Sequence, residues 1–176
     1  MKPLLCNIIS DEQAAFVPGR LLSDHCLVAQ EIIHCLHSSE SKSGYIAVKL
    51  DMEKAFHRIQ WNFLQRALQA FNFRPAWISL IMECVSSPKY GLLINGAKSE
   101  WINASCDLRQ DCPLSPYHFI ICSEFLSILI KQSNYPGLGI KVSMSTQKIS
   151  HLLFVDDTLL FGSASILGDQ DPLHFT

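Results

Sequence analysis

Asp156 and Asp157 sit side by side between two apolar runs, His151-Leu152-Leu153-Phe154-Val155 and Thr158-Leu159-Leu160-Phe161, as if at the tight turn of a hairpin. Two carboxylates in such a setting repel each other and lose hydration, which is costly unless a cation or a hydrogen-bond donor compensates. A third carboxylate, Asp51, ends the run Tyr45-Ile46-Ala47-Val48-Lys49-Leu50. If the strands that carry them lie side by side, three oxygen ligands meet, and hard oxygen donors suit Mg²⁺ or Mn²⁺. Two such ions could orient a hydroxyl nucleophile, neutralise a triphosphate and stabilise both oxygens of an in-line displacement. The plainer alternative is that Asp-Asp bonds its own turn backbone and Asp51 caps a strand; spacing alone leaves the two readings open.

The elements that must position these acids are legible in outline. Apolar residues at 27, 28, 32, 33 and 36 give a helix over Leu22 to Leu36, with Ser23 or Asp24 as N-cap. The small polar cluster Ser38 to Gly44 is a loop, and Tyr45 to Asp51 a strand. Helices follow near Trp61 to Phe71 and Ala76 to Val85, the second started by Pro75. Asn95-Gly96 predicts a hairpin joining strands over Lys89 to Asn95 and Lys98 to Ala104. A helix from about Pro116 to Gln132, a short strand around Gly139 to Ser143 and a closing hairpin over Ser150 to Phe161 complete the order. Strands and helices are mixed rather than alternating, which fits an α+β layer with helices on one face of an antiparallel sheet. A receiver-like phosphoacceptor domain would need regularly alternating parallel βα units, and the order does not supply them.

The chain has 176 residues, 48% of them hydrophobic and 17% charged, enough for one compact core and too apolar for disorder. No uncharged stretch approaches the roughly 18 residues of a membrane span, and the N-terminus lacks the apolar region and cleavage site of a secretory signal. Seven cysteines without a CxxC pair fit free thiols in a reducing compartment. An intracellular location is expected, with nucleus and cytoplasm not distinguished. A net charge of −2 argues against a standalone grip on nucleic acid, which depends on clustered Lys and Arg.

Several stretches match one family in order: Gln13-Ala14-Ala15-Phe16-Val17-Pro18-Gly19-Arg20, Lys49 to Phe56, Leu92 to Gly96, Leu108-Arg109-Gln110 with Pro113 to Tyr117, Gly139 to Ser143, and His151 to Asp157. Over roughly residues 3 to 165 the chain resembles the reverse transcriptase of LINE-type (non-LTR) retrotransposons, most closely the plant elements. The resemblance implies an incomplete polymerase palm at 45–165, part of the fingers at 1–44 and a disordered tail at 166–176. It implies that Asp51, Asp156 and Asp157 are the catalytic metal ligands for two Mg²⁺ (or Mn²⁺) ions. It makes Phe56 the aromatic gate that disfavours a 2′-hydroxyl, puts Arg109 and Gln110 in the nucleotide pocket and Arg20 on phosphates. RNA template, DNA primer and deoxynucleotides are the implied partners, with no membrane.

The departures from the family pattern lead to a further expectation. Cys106-Asp107-Leu108-Arg109-Gln110-Asp111-Cys112-Pro113 stands where the family usually has Arg-Gly-Leu-Arg-Gln-Gly-Asp-Pro, and His57 replaces the Asp usual after the aromatic residue. Asp111 adds a Cβ and a charge beside the substrate; at about 4 Å from a phosphate charge it would cost on the order of 4 kcal/mol at a dielectric near 20. The chain stops 19 residues after Asp157, short of the further palm strands and thumb, and no endonuclease domain precedes the fingers motif. The expectation is therefore a fragment of an RNA-directed DNA polymerase, weak or inactive alone, whose uncovered palm edge favours self-association. The alternative is a non-catalytic, retrotransposon-derived remnant acting, if at all, as a protein-interaction module.

Overall fold

The computed structural model describes residues 2–38, 44–102, 104–109, 112–133, 135, 137–143 and 146–164. In chain order the elements are α1 (Lys2–Ile8), α2 (Leu22–Ser38), β1 (Tyr45–Leu50), α3 (Ala55–Arg58), α4 (Trp61–Ala70), α5 (Pro75–Ser86), β2 (Leu93–Ile94), β3 (Ala97–Lys98), α6 (Ser115–Gln132), β4 (His151–Phe154) and β5 (Asp157–Ser163). β1, β5 and β4 form an antiparallel sheet in that order, so β5 is central and β1 is an edge. The fold is α+β, as expected. The expected tail at 166–176 lies outside the described residues.

One core is helical. Leu64, Ala67 and Leu68 of α4 recur at helical spacing and pack with Ile78 and Ile81 of α5 and with Phe119 to Cys122 of α6. α4 ends in a Schellman cap: Asn72 has φ 57, its N–H donates to the Gln69 carbonyl, and the Phe73 N–H donates to that of Leu68. Pro75 opens α5 at a position where its missing N–H costs nothing. A second core joins Ile32 of α2 to Leu152, Phe161 and Ile140, with Leu159 packed against it. His151, on the opposite side of β4 from Leu152, reaches Ser127 of α6 at 2.8 Å.

The β2–β3 hairpin turns at Asn95 and Gly96, φ 50 and 82, as the dipeptide predicts. Its strands are much shorter than expected, because the Ser99 hydroxyl takes the Leu92 N–H out of the ladder and Leu93, Ile94 and Trp101 bury no face. The strand expected over Gly139 to Ser143 is reduced to one bridge, Ile140 to Ile149.

Candidate active site

Leu50 pairs with Thr158, so continuing the β1–β5 register one step sets Asp51 opposite Asp157. The condition posed by the sequence is met: the strand that delivers Asp51 is the direct neighbour of the strand that begins at Asp157. The turn is displaced by one residue from the expected Asp-Asp. Phe154 pairs with Asp157, which leaves Val155 and Asp156 as the two central residues. Val155 has φ 57. A β-branched residue in the left-handed region costs roughly 1–2 kcal/mol, so something must hold it there.

The holder is Gln13, a fully buried side chain more than a hundred residues away in sequence. Its carbonyl oxygen accepts from the Val155 N–H at 3.2 Å and from the Ala15 N–H at 3.0 Å, and its amide nitrogen faces the Val155 carbonyl at 3.5 Å. The backbone reinforces the contact: Leu153 N–H donates to the Glu12 carbonyl at 2.7 Å, and Ala14 N–H to the Leu153 carbonyl at 3.1 Å. Net contributions of about 1 kcal/mol per hydrogen bond are enough to offset the turn's strain.

Lys49 shares the Asp51 and Asp157 face of the sheet by strand alternation, and its ammonium lies 2.9 Å from the Asp157 carboxylate. Its pKa is raised, first by the hydrogen bond to Asp157, then by the charge of Asp157, and further by those of Asp51 and Asp156. A cation, the Lys49 ammonium, thus already stands beside Asp157. Among the described residues no three His, Cys, Asp or Glu side chains are gathered as a ready cage for a metal ion. The donor chemistry and strand placement suit a hard divalent cation; binding one would require the Asp157 carboxylate to exchange its ammonium partner. A groove of about 410 Å³ between α2 and the sheet, walled by Leu22, Ala29, Leu152 and Leu159, opens beside Lys49 and Asp157.

The remaining expected residues are placed as follows. Phe56, in α3 just after Asp51, is half-buried and stacks on Phe119 with centroids 4.6 Å apart and planes at 16°. Arg109 is exposed, 6.0 Å from the Tyr90 ring. Gln110 and Asp111 lie outside the described residues. Arg20 is not brought to the acids. Its guanidinium donates to the carbonyls of Ile9, Ser10 and Gln13 and pairs with Asp11 at 3.2 Å, which knots the loop that carries Gln13.

Sequence reasoning missed two polar assemblies. His57 Nδ1 and the Asp107 carboxylate lie 2.8 Å apart, so two of the departures from the family pattern pair with each other. The Trp61 indole N–H also donates to the Asp107 carbonyl, holding a non-glycine residue at φ 100. The second assembly is internal. Ser10 N–H and Oγ donate to Glu124 at 3.1 Å each; Ser10 Oγ lies 2.9 Å from Ser127 Oγ, which lies 2.8 Å from His151 Nε2. Burial raises the Glu124 pKa and lowers that of His151. Ser127 and His151 are sealed from solvent, so this chain of hydroxyl, imidazole and carboxyl ties the N-terminal loop, α6 and β4 together and has no access to a substrate. The signal was present as polar residues inside apolar segments: Glu124 and Ser127 within a helix, His151 opening a strand.

Residues 1–166 match the family described as reverse transcriptase (RNA-dependent DNA polymerase). The chain is 26% identical over 161 residues, 91% of its length, to the transposon TX1 uncharacterized 149 kDa protein of Xenopus laevis, of which it spans 12%. It is 48% identical over 68 residues, 38% of its length, to an uncharacterized mitochondrial protein of Arabidopsis thaliana, covering 56% of that protein. Among solved structures it superposes on apo telomerase from Candida tropicalis truncated from the C-terminal domain, with a TM-score of 0.57 at 11% identity, covering 86% of this chain and 30% of that one. That likeness is one of fold.

Proposed function

The chain belongs to the reverse transcriptase (RNA-dependent DNA polymerase) family, and from that premise we propose that it is the part of a LINE-type RNA-directed DNA polymerase that carries the acidic half of the catalytic centre. Residues 45–165 are read as palm and 1–44 as fingers. Asp51, Asp156 and Asp157 are the proposed ligands of divalent cations, Mg²⁺ or Mn²⁺. When bound, such ions supply charge neutralisation to the attacking and leaving oxygens of nucleotidyl transfer onto a primer 3′-hydroxyl.

The observation that supports the reading is strand register: β1 and β5 are direct neighbours, and the Leu50–Thr158 pair sets Asp51 opposite Asp157, the residue after Asp156. The chain's own residues have distinct tasks. Asp51 and Asp157 supply carboxylates from facing strands, Asp156 supplies one from the turn, and Lys49 neutralises Asp157 until a cation replaces it. Phe56, braced by Phe119, is the proposed wall against a 2′-hydroxyl. Arg109 and Gln110 are the proposed contacts to the incoming nucleotide, while Arg20 is assigned to the loop that supports the turn. RNA template, DNA primer and deoxynucleotides are the partners this reading implies. Weak turnover is part of it, motivated by Asp111 in the pocket motif.

Mn²⁺ titration and primer extension on the purified chain test it. Saturable Mn²⁺ binding that disappears in the Asp156→Asn/Asp157→Asn chain supports the site, and its persistence there rejects it. Robust extension abolished by Asp51→Ala would refute the weakness and keep the chemistry. The second reading, a non-catalytic remnant working through protein contacts, is favoured by β1, whose Tyr45, Ile46, Val48 and Leu50 are all exposed on an edge strand. It predicts no specific Mn²⁺ binding at all. No described helix is long and apolar enough to cross a membrane.

A further inference from the structure

We infer that Gln13 is a positioning residue for the acidic pair: its buried side-chain amide holds Val155 in the left-handed conformation that aims Asp156 and starts β5 at Asp157. The inference rests on the reading of those aspartates as cation ligands. Its geometry does not depend on that reading. A two-residue turn needs a left-handed residue at its first centre here, and the sequence supplies valine, for which that conformation is rare, instead of glycine or asparagine. The missing preference is replaced from outside the hairpin.

Gln13 suits the task because one side chain presents an acceptor and a donor in a fixed plane. The acceptor meets the Val155 N–H and the donor faces the Val155 carbonyl, so both polar groups of the strained residue are bracketed. Full burial leaves the amide no water to exchange with, and the Ala15 N–H on the same oxygen fixes its orientation. Gln13 in turn is held by its own backbone, since its carbonyl accepts from Arg20 at 2.7 Å. A segment of the N-terminal loop thus sets the position of carboxylates at the far end of the chain.

The test combines Mn²⁺ titration with amide hydrogen exchange over residues 153–157. Gln13→Met keeps the side-chain length and bulk and removes both hydrogen-bonding functions. It is expected to weaken Mn²⁺ binding about 10-fold and to speed hairpin exchange about 10-fold, with exchange in α4 and α5 unchanged. Val155→Gly, which adopts the left-handed conformation freely, should restore binding in the Gln13→Met chain to within about 3-fold of the parent. A merely structural Gln13 would not be rescued by a change in the turn. Unchanged hairpin exchange in Gln13→Met, or a folded double variant that is not rescued, overturns the inference. If Gln13→Met does not fold, recovery of folding by Val155→Gly supports the clamp and failure to recover rejects it. If the parent chain binds no Mn²⁺ saturably, the cation reading fails and the exchange rates alone decide whether Gln13 holds the turn.

Discussion

Acid should unfold this protein through His118, and the size of the effect can be worked out from where the ring sits. His118 is fully buried in the first turns of α6, and neither ring nitrogen has a hydrogen-bond partner. Burial pushes its pKa from 6.5 down to about 4. The positive end of α6 acts in the same direction, because it disfavours an imidazolium. Well above pH 6.5 neither the folded nor the unfolded chain holds the proton, and His118 takes nothing from stability. Between 6.5 and about 4 the unfolded chain takes up a proton that the folded chain refuses, so stability falls as pH falls. At about 1.4 kcal/mol per decade the full loss is about 3 kcal/mol, a large share of the 5–15 kcal/mol typical of a domain. His118→Leu removes the group and should be at least as stable as the parent at pH 8, since two unpartnered buried nitrogens go with it. Urea unfolding followed by Trp fluorescence from pH 8 to 4 should show the variant gaining about 3 kcal/mol on the parent across that window. His151 and Glu124 remain in both chains and cancel in the difference. Parallel stability curves, within about 0.5 kcal/mol, would refute the account of an uncompensated buried imidazole.

Lys49→Gln removes the ammonium that competes for Asp157, so Mn²⁺ affinity measured by calorimetry at fixed ionic strength should rise several-fold; equal or weaker binding would mean that the lysine helps the site rather than guards it. A double-mutant cycle with His57→Ala and Asp107→Asn should give a coupling of about 0.5–1 kcal/mol in urea unfolding, kept small because the His57 side chain is half exposed. No coupling would make the 2.8 Å contact incidental. Val48→Lys on the outer strand β1 should reduce self-association in light scattering at fixed concentration, by setting a charge on the open edge. An unchanged mass would place any association elsewhere.

The elements that carry the acids were readable because their signals are local. A short β-rich run after a glycine marks β1, periodic Leu64, Ala67 and Leu68 mark α4, and Asn95-Gly96 marks its hairpin. What failed depended on tertiary partners. The lengths of β2 and β3 were overestimated because sequence pattern cannot tell that their apolar residues have no layer to pack on. The closing turn was misplaced by one residue because Asp-Asp is a better turn dipeptide than Val-Asp, and only the remote Gln13 reverses that preference. The same blindness applies to Arg20, which the resemblance puts on phosphates: its partners are Asp11 and backbone carbonyls of the loop, which no residue pattern announces.

The two halves of the proposed centre are packed differently. The acids depend on backbone register and on the loop knotted by Arg20 and Gln13, and those residues also seal the interior through Ser10, Glu124, Ser127 and His151. Substitution there would expose buried polar groups across three elements, so the acidic half is tied to folding itself. Beside the exposed Arg109, the change to Asp107 is met by two side chains, His57 and Trp61, and not by a network across three elements. Substitution of the exposed Arg109 would cost little stability. A chain under weak demand for polymerisation would then keep its carboxylates long after its nucleotide pocket had drifted, and retained metal ligands alone would be poor evidence of retained turnover.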